Sequence, residues 1–485
     1  MKGRLKKLFT PLDLRQGKEW KALLLFSLPI IFSYLLQQVY TISDAAICGQ
    51  TLSADEVAGV NDVSPLLFIF LQFAFGCTAG FSVVTSGRLG NGDAAGVRRS
   101  FASQIILSSG IAIILTAVSL CSLKPMLAWL HVTPENVGVF NAAYGYCFVI
   151  FCGISAQMFY NFVCSVLRSV GDSVTPLVFL FLSTVLNVGL DLLFIVVFNW
   201  GVLGAAGATV AAQLLSTVAC FIYTFLKYEN LRLSREDFKM SFTEAKAHLA
   251  QGLPLGLQFS VLAIGIIVMQ SELVRFDLTP AGTMVAGNPA QNGYGAACKL
   301  GNLLTCPMNA LGAGLVSFVA QNYGAGEYDR IRRGTLQGTL ILFIMYVFLG
   351  GMGLLLTING AYQYIFLSPD KITEQSVAFG NNYLYVAASS YFLLGLLFIW
   401  RSAAQGVEKP LFTFLVGVAE LLARIFICLF LPSAVNGGPI YSDASTAAYF
   451  ALCIADPIAW LASVLVLSYP LIKYVILQRY DKKPE

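Results

Sequence analysis

Twelve stretches of this chain are each apolar for about twenty residues, and that property decides most of what it can fold into. About twenty residues is the helix length that crosses the hydrocarbon of a bilayer. The stretches fall at about 22–43, 60–85, 101–120, 138–166, 175–198 and 204–226. After a polar segment at 227–248 they resume at about 252–272, 293–320, 335–356, 378–403, 410–431 and 444–470. Backbone polar groups in hydrocarbon must be satisfied within the segment, so spans of this length are helices. A membrane barrel would instead show short alternating segments. Only 12% of the 485 residues are charged, against about 25% in soluble domains. The prediction is an all-α polytopic membrane protein. Its expected parts are an N-terminal segment 1–21, a lobe at 22–226, a linker at 227–251, a second lobe at 252–470 and a tail at 471–485.

Charge placement orients the chain. Segments on one side carry Arg88, Arg98 and Arg99, then Arg168, Arg330, Arg332, Arg333 and Lys409, while the opposite loops carry mainly acids such as Asp55, Glu56, Glu135 and Asp443. Positive residues stay cytoplasmic, so both termini are expected inside, as an even span count requires. The eleven cysteines are scattered through apolar runs without metal spacing, as buried small hydrophobes are. The two histidines, His131 and His248, are too few for a histidine metal cluster. No cleavable signal is recognisable. The linker admits two readings: a short interfacial helix presenting Phe238, Phe242, Ala247 and Leu249, or a solvated connector.

The halves repeat. GRLGNGDAAGVRRS from Gly87 and AQNYGAGEYDRIRRG from Ala320 align Gly90, Gly92, Asp93, Arg98 and Arg99 with Gly324, Gly326, Glu327, Arg332 and Arg333, each 234 positions later. Arg168 matches Arg401, Pro176 matches Pro410, and Pro29 matches Pro254 at a smaller offset of 225. The change of offset places an insertion at 275–292, a Gly-, Pro- and Asn-rich surface loop. Six spans followed by six in the same sense form a parallel repeat whose axis runs along the membrane normal, with a cleft between two lobes that can rock.

Within the spans, carboxylates are expensive and usually line a pathway. Gln37, Tyr40 and Asp44 share one helical face, and Ser183, Asn187 and Asp191 share another. Asp44 and Asp191 meeting in the first lobe would suit a proton or a monovalent cation. For Asp44 an interfacial cap is the alternative, and for Asn187 it is helix–helix hydrogen bonding. The second half differs. Asn187 and Asp191 align with Glu420 and Arg424, one turn apart, which form a self-neutralising structural pair. Glu272 lies at the outer end of the seventh span, either drawing cations or lying among head groups. Lys299 snorkels or pairs across the cleft. Asp456, before Pro457, is a candidate on a broken twelfth helix. Tyr40, Tyr160, Gln157 and Asn161 would give a cleft wall of mixed polarity, suited to amphipathic ligands. Nothing points to a nucleic-acid partner, a cofactor or enzymatic machinery.

The stretches FSLPIIFSYLLQQVYTISDAAICG, YNFVCSVLRSVGDSVTPLVFLFLSTVLNVGLDLLF, GVLGAAGATVAAQ and FVAQNYGAGEYDRIRR resemble the multidrug and toxic compound extrusion (MATE) transporters, bacterial type. The resemblance implies twelve helices in two six-helix lobes, in the inner membrane of a bacterium. It also implies export of organic cations or amphiphiles coupled to inward proton or sodium movement. In the family a first-helix carboxylate and a fifth-helix Asn–Asp pair form the cation site, and here these positions are Asp44, Asn187 and Asp191, which would also hold sodium. The expected partners are a small cationic or amphiphilic substrate and membrane lipids, and the expected state is a monomer. A translocator of lipid-linked precursors or polysaccharides is the alternative, kept open by Lys299 and Arg424.

Overall fold

The computed structural model describes residues 10–130 and 132–480. Lys2, Arg4, Lys6, Lys7, His131 and the end of the tail lie outside the described residues. Among the described residues the chain is helical, with one isolated bridge, Leu278–Met284, in place of any sheet. The first repeat begins with α1 (Glu19–Thr51), α2 (Ala54–Gly90), α3 (Ala94–Cys121) and a short α4 (Leu123–Trp129). It continues through α5 (Val137–Cys152), α6 (Ile154–Ser169), α7 (Val174–Asp191) and α8 (Gly201–Lys227). The second holds α9 (Phe242–Val274), α10 (Pro289–Gly324), α11 (Tyr328–Leu356), a short α12 (Gln363–Phe366), α13 (Glu374–Gly406) and α14 (Pro410–Asn436). It ends in α15 (Thr446–Cys453) and α16 (Ala455–Pro470).

Eleven helical segments are long and apolar enough to span a membrane, and the bent pair α5–α6 makes twelve. The fourth expected span is therefore a broken one, bent by 46°. Its break is at Gly153, where a Cβ would stand 2.7 Å from Val210 Cγ1 of α8. The close approach of α8 requires glycine there, and glycine weakens the helix at that point. The last span is also interrupted, at Ile454, which puts Asp456 in the first turn of α16, as its neighbouring Pro457 predicts.

The described chain forms two compact units that divide differently from the repeats. One comprises residues up to Ser260 with Val316–Ile331 and Gln405–Pro410. The other comprises Val261–Leu315, Arg332–Ala404 and Leu411 onward.

Within the first unit the two matched turns have the same backbone. Gly92 and Gly326 adopt φ of 76° and 77°, a left-handed conformation that favours glycine. Gly92 N–H donates to Leu89 O at 3.1 Å and Asp93 N–H to Arg88 O at 3.1 Å. Gly326 N–H donates to Tyr323 O at 3.1 Å and Glu327 N–H to Asn322 O at 2.9 Å. These are the same bonds 234 residues apart. The turns also touch reciprocally. A Cβ on Gly90 would lie 2.7 Å from the carbonyl carbon of Gln321, and one on Gly324 would lie 2.7 Å from that of Gly87. Gly87 and Gln321 are themselves repeat equivalents. A pair in which each partner contacts the other's equivalent is the signature of a two-fold axis, here an internal one. Further along α2, a Cβ on Gly76 would meet Gly256 Cα at 2.7 Å and one on Gly80 would meet Gly252 Cα at 2.6 Å. Small residues thus bring α2 and the start of α9 into backbone contact, as in other membrane helix pairs.

The linker contains no separate interfacial helix. Residues 232–241 contain one turn, at 235–238, and from Phe242 a single helix runs into the seventh span. Phe238 and Phe242 are exposed, whereas Leu231 is buried with Phe101, Phe162 and Val166. Asp237 accepts from the Ser234 N–H at 2.7 Å. That bond, with Arg98 nearby, holds its carboxyl below the usual range. His248 is buried, its Nδ1 2.9 Å from Glu244 O and its Nε2 2.7 Å from Ser100 Oγ, so it pins α9 to α3.

Candidate functional site

The turn that opens the fifth span is built around Asp172. Its carboxylate accepts from Val174 N–H at 3.1 Å and Thr175 N–H at 2.9 Å, capping α7, and from Lys227 Nζ at 2.8 Å and the Tyr228 hydroxyl. Both ends of the α7–α8 hairpin's basic side are thereby tied together. The turn also contains Gly171, at φ 89°.

From this anchor α7 runs with its polar side inward. Ser183, Thr184, Asn187 and Asp191 are buried, while Phe181, Leu182, Val185 and Leu186 are exposed. A helix facing lipid reverses the soluble arrangement, so its few polar residues mark the protein side. Immediately after Asp191 the helix widens into a π turn, Leu192–Val197, an irregularity common at functional sites. α1 packs along α7 and brings Tyr40 and Asp44 to Asp191, close enough for electrostatic contact.

The defining feature is what these groups lack. Asp44 Oδ1, both Asp191 carboxylate oxygens, Asn187 Oδ1 and the Tyr40 hydroxyl are buried without a hydrogen-bond partner. The Asn187 amide donates to Thr209 Oγ1 at 3.5 Å. Buried polar atoms are normally satisfied. Five such oxygens around two facing carboxylates form a site that a proton or a cation would satisfy. A proton or Na⁺ fits, since every donor is a hard oxygen, whereas transition metals favour imidazole or thiolate. Among the described residues no three His, Cys, Asp or Glu side chains cluster as a metal site.

Beside Thr209 lies a small cavity of about 30 Å³ lined by Leu71, Ile150, Gly153, Gln157, Thr209, Val210 and Gln213. This is room for a water molecule. Gln157 therefore shares this cavity with Thr209, the residue that accepts from the Asn187 amide. The other sequence candidates disperse. Gln37 is exposed and Asn161 half-buried. Tyr160 is buried in a cluster with Val163, Cys164, Leu167 and Cys220. Tyr146 and Thr209, which no sequence pattern singles out, are recruited beside Asp44 and Asn187. They are isolated polar residues in apolar helices, and only the packing reveals their role.

In the second unit, Glu272 is buried, and Arg275 Nη2 lies 3.2 Å from it. Lys299 is exposed. The expected two-member pair is a triad. Arg424 Nη2 donates to Glu420 Oε1 at 3.1 Å, and Arg424 Nε and Nη2 donate to Asp456 Oδ1 at 3.1 and 2.8 Å. The Tyr383 hydroxyl donates to Asp456 Oδ2 at 3.0 Å. Self-neutralisation of Glu420 and Arg424 was the expectation, but one guanidinium here serves two carboxyl groups. Gly265 leaves it room, since a Cβ there would stand 2.9 Å from Arg424 Nη1. The 275–292 loop is anchored by Asp277, which accepts from Ala290 N–H and Gln291 N–H, each at 2.9 Å, capping α10.

Comparison with known proteins agrees with this architecture. The MatE family model matches residues 29–193 and 284–430. The chain is 29% identical to "Probable multidrug resistance protein YpnP" of Bacillus subtilis, over 82% of this chain and 85% of that one. It is 23% identical to "Multidrug export protein MepA" of Staphylococcus aureus, over 92% and 93%. It is 24% identical to an "FAD transporter" of Shewanella oneidensis, over 87% and 88%. Among solved structures, an outward-facing multidrug resistance MATE family transporter superposes with a TM-score of 0.82 at 19% identity, over 97% of this chain and 99% of that one. With the family model covering well over half its length, and with two six-helix repeats in the parallel sense, the chain belongs to the multidrug and toxic compound extrusion family of membrane transporters.

Proposed function

We propose that this protein is a secondary active antiporter of the bacterial plasma membrane, with both termini cytoplasmic. It would export organic cations or amphiphilic toxic compounds in exchange for protons or Na⁺. The observation that carries the reading is the pair Asp44 and Asp191, whose buried oxygens have no donor. A coupling ion must bind differently in the two access states to bias them. Two carboxylates brought face to face by α1 and α7 repel when bare and are bridged when a proton or cation enters. Asn187 Oδ1 and the Tyr40 hydroxyl supply the remaining oxygens, and the cavity beside Thr209 supports water access. The names of the relatives YpnP and MepA support the substrate class.

The test is transport in reconstituted vesicles, with proton and sodium gradients imposed separately. Wild type is expected to export organic cations against one of them. Asp191→Asn is expected to insert normally and lose gradient-driven export, and normal export by that variant would sink the assignment. Binding of a pyrophosphate lipid, with no organic cation bound, would favour the lipid-linked translocator instead.

A further inference from the structure

The face bearing the arginine-rich turns contains two contacts that mirror each other without sharing a sequence motif. Arg88, at the end of α2, reaches Glu244 in the first turn of α9, with Nη1–Oε1 at 2.5 Å and Nη2–Oε2 at 2.7 Å. Arg330, at the start of α11, reaches the segment entering α1. Its Nη1 donates to Gly17 O at 2.7 Å, Nη2 to Gln16 O at 2.8 Å and to Leu14 O at 3.2 Å, and Nη1 lies 3.7 Å from Glu19 Oε1. Glu19 and Glu244 are 225 positions apart, the same offset that relates Pro29 to Pro254. They are therefore repeat equivalents. The arginines are not. Arg330 aligns with Gly96, and Arg88 aligns with Asn322, whose amide donates to Leu14 O at 3.2 Å. Each repeat's turn thus clasps the glutamate that opens the other repeat, using an arginine from a different position of the turn.

The rest of the entry segment is built to be held. Asp13 accepts from the Arg15 N–H and side chain at 2.9–3.0 Å, and those bonds keep its carboxyl below the usual range. Leu14 is fully buried. Leu12 N–H donates to Gly171 O at 2.9 Å, and Arg15 Nη1 donates to Gly90 O at 3.0 Å. Residues 12–19 therefore bridge basic-face turns of both repeats, directly over the reciprocal glycine contact. Bidentate arginine–carboxylate pairs hold both distance and orientation.

We propose that Arg88–Glu244 and Arg330 with residues 14–19 are paired clasps that hold the basic face closed, and that they open together when that face admits substrate. Arg88 and Arg330 are then positioning residues of the transport cycle. The inference rests on the alternating-access reading above. Its test needs neither substrate nor gradient, so its failure is distinguishable from failure of that reading.

The experiment is amide hydrogen exchange on the full-length chain in lipid nanodiscs, read at residues 87–93 and 321–327, with thermal unfolding followed in parallel. Arg88→Gln is expected to speed exchange by roughly tenfold or more at 321–327, the turn it does not touch. Arg330→Gln is expected to do the same at 87–93. The swap of Arg88→Glu with Glu244→Arg restores protection at both. If Arg88→Gln does not fold, Glu244→Gln reads the same clasp while keeping the side chain's shape. Gly171→Ala, which would crowd Leu12 O, should loosen residues 12–19. Gly92→Ala, with a similar positive φ but nothing within 4 Å of its Cβ, should not. Exchange that rises only beside the substituted residue, or uniformly over the chain, overturns the proposal. So does a swap that fails to restore protection.

Discussion

Gly90→Ala is the most direct test of the internal two-fold axis. The added methyl would lie 2.7 Å from the Gln321 carbonyl carbon and 2.9 Å from its Cα, and closer still to the oxygen. Carbon atoms rest at about 3.5–4.0 Å, so one backbone must retreat by close to 1 Å. No flexible side-chain tip is available to absorb the strain, since all three neighbours belong to the Gln321 backbone. Overpacking of this kind costs about 1–3 kcal/mol. Alanine's better helix propensity returns at most about 1 kcal/mol, so the net sign is destabilising for the closed contact. Taken at the upper end, the net is about 2 kcal/mol, which at about 1.4 kcal/mol per tenfold weakens closure on the basic face by about 30-fold. Reciprocity sharpens the test. Gly324→Ala places the same methyl against Gly87 and should match Gly90→Ala in size, and the double variant should fall short of the sum because both act on one contact. Spin-label distances across the basic-face turns, with Gly110→Ala as a helix-propensity control whose Cβ meets nothing within 4 Å, would measure the shift. Equal behaviour of Gly90→Ala and Gly110→Ala would refute the contact, and with it the placement of the axis.

Three further outcomes can be checked by thermal unfolding in detergent. Arg424→Met leaves Glu420 and Asp456 buried without their guanidinium and should cost about 3–5 kcal/mol. Glu420→Gln should cost about 1 kcal/mol or less, because Asp456 keeps both Arg424 bonds, and equal losses would show that the triad is not shared as described. Asp172→Ala removes the α7 cap and the Lys227 bond and should cost about 2–4 kcal/mol, whereas a change under about 0.5 kcal/mol would mean the hairpin is held elsewhere.

The sequence carried the architecture because hydrocarbon enforces it locally. Span length, arginine asymmetry and a 234-residue repeat are each readable without knowing a single contact. Asp191 stood out for the same reason, since a carboxylate between Leu190 and Leu192 is conspicuous, and Asp44 and Asn187 stood out as polar residues at helical spacing within apolar spans. What stayed hidden depends on contacts between distant segments. Asp456 lies 32 positions from Arg424, so no helical period links them. Arg330 was obscured by the repeat itself, because its aligned partner is glycine and comparison of matched positions passes over it. The interruption at Gly153 was missed because its cause, Val210, lies on another helix.

The two repeats share a backbone plan yet treat buried charge in opposite ways. At the matched positions of the fifth and eleventh spans, the first repeat has Asn187 and Asp191, and the second has Glu420 and Arg424. In the first unit two acids, Asp44 and Asp191, face each other. In the second, Arg424 donates to both Glu420 and Asp456, and the Tyr383 hydroxyl donates to Asp456 Oδ2. A covalently attached cation cannot be exchanged for one from solution, so on the proposed reading ion coupling belongs to the half that lacks it. This division makes a directional prediction. Neutralising Asp44 or Asp191 should change transport and spare stability, whereas removing Arg424 should change stability first. A variant series in which both sites behaved alike, read by export and unfolding on the same preparations, would mean that the asymmetry in charge is not an asymmetry in function.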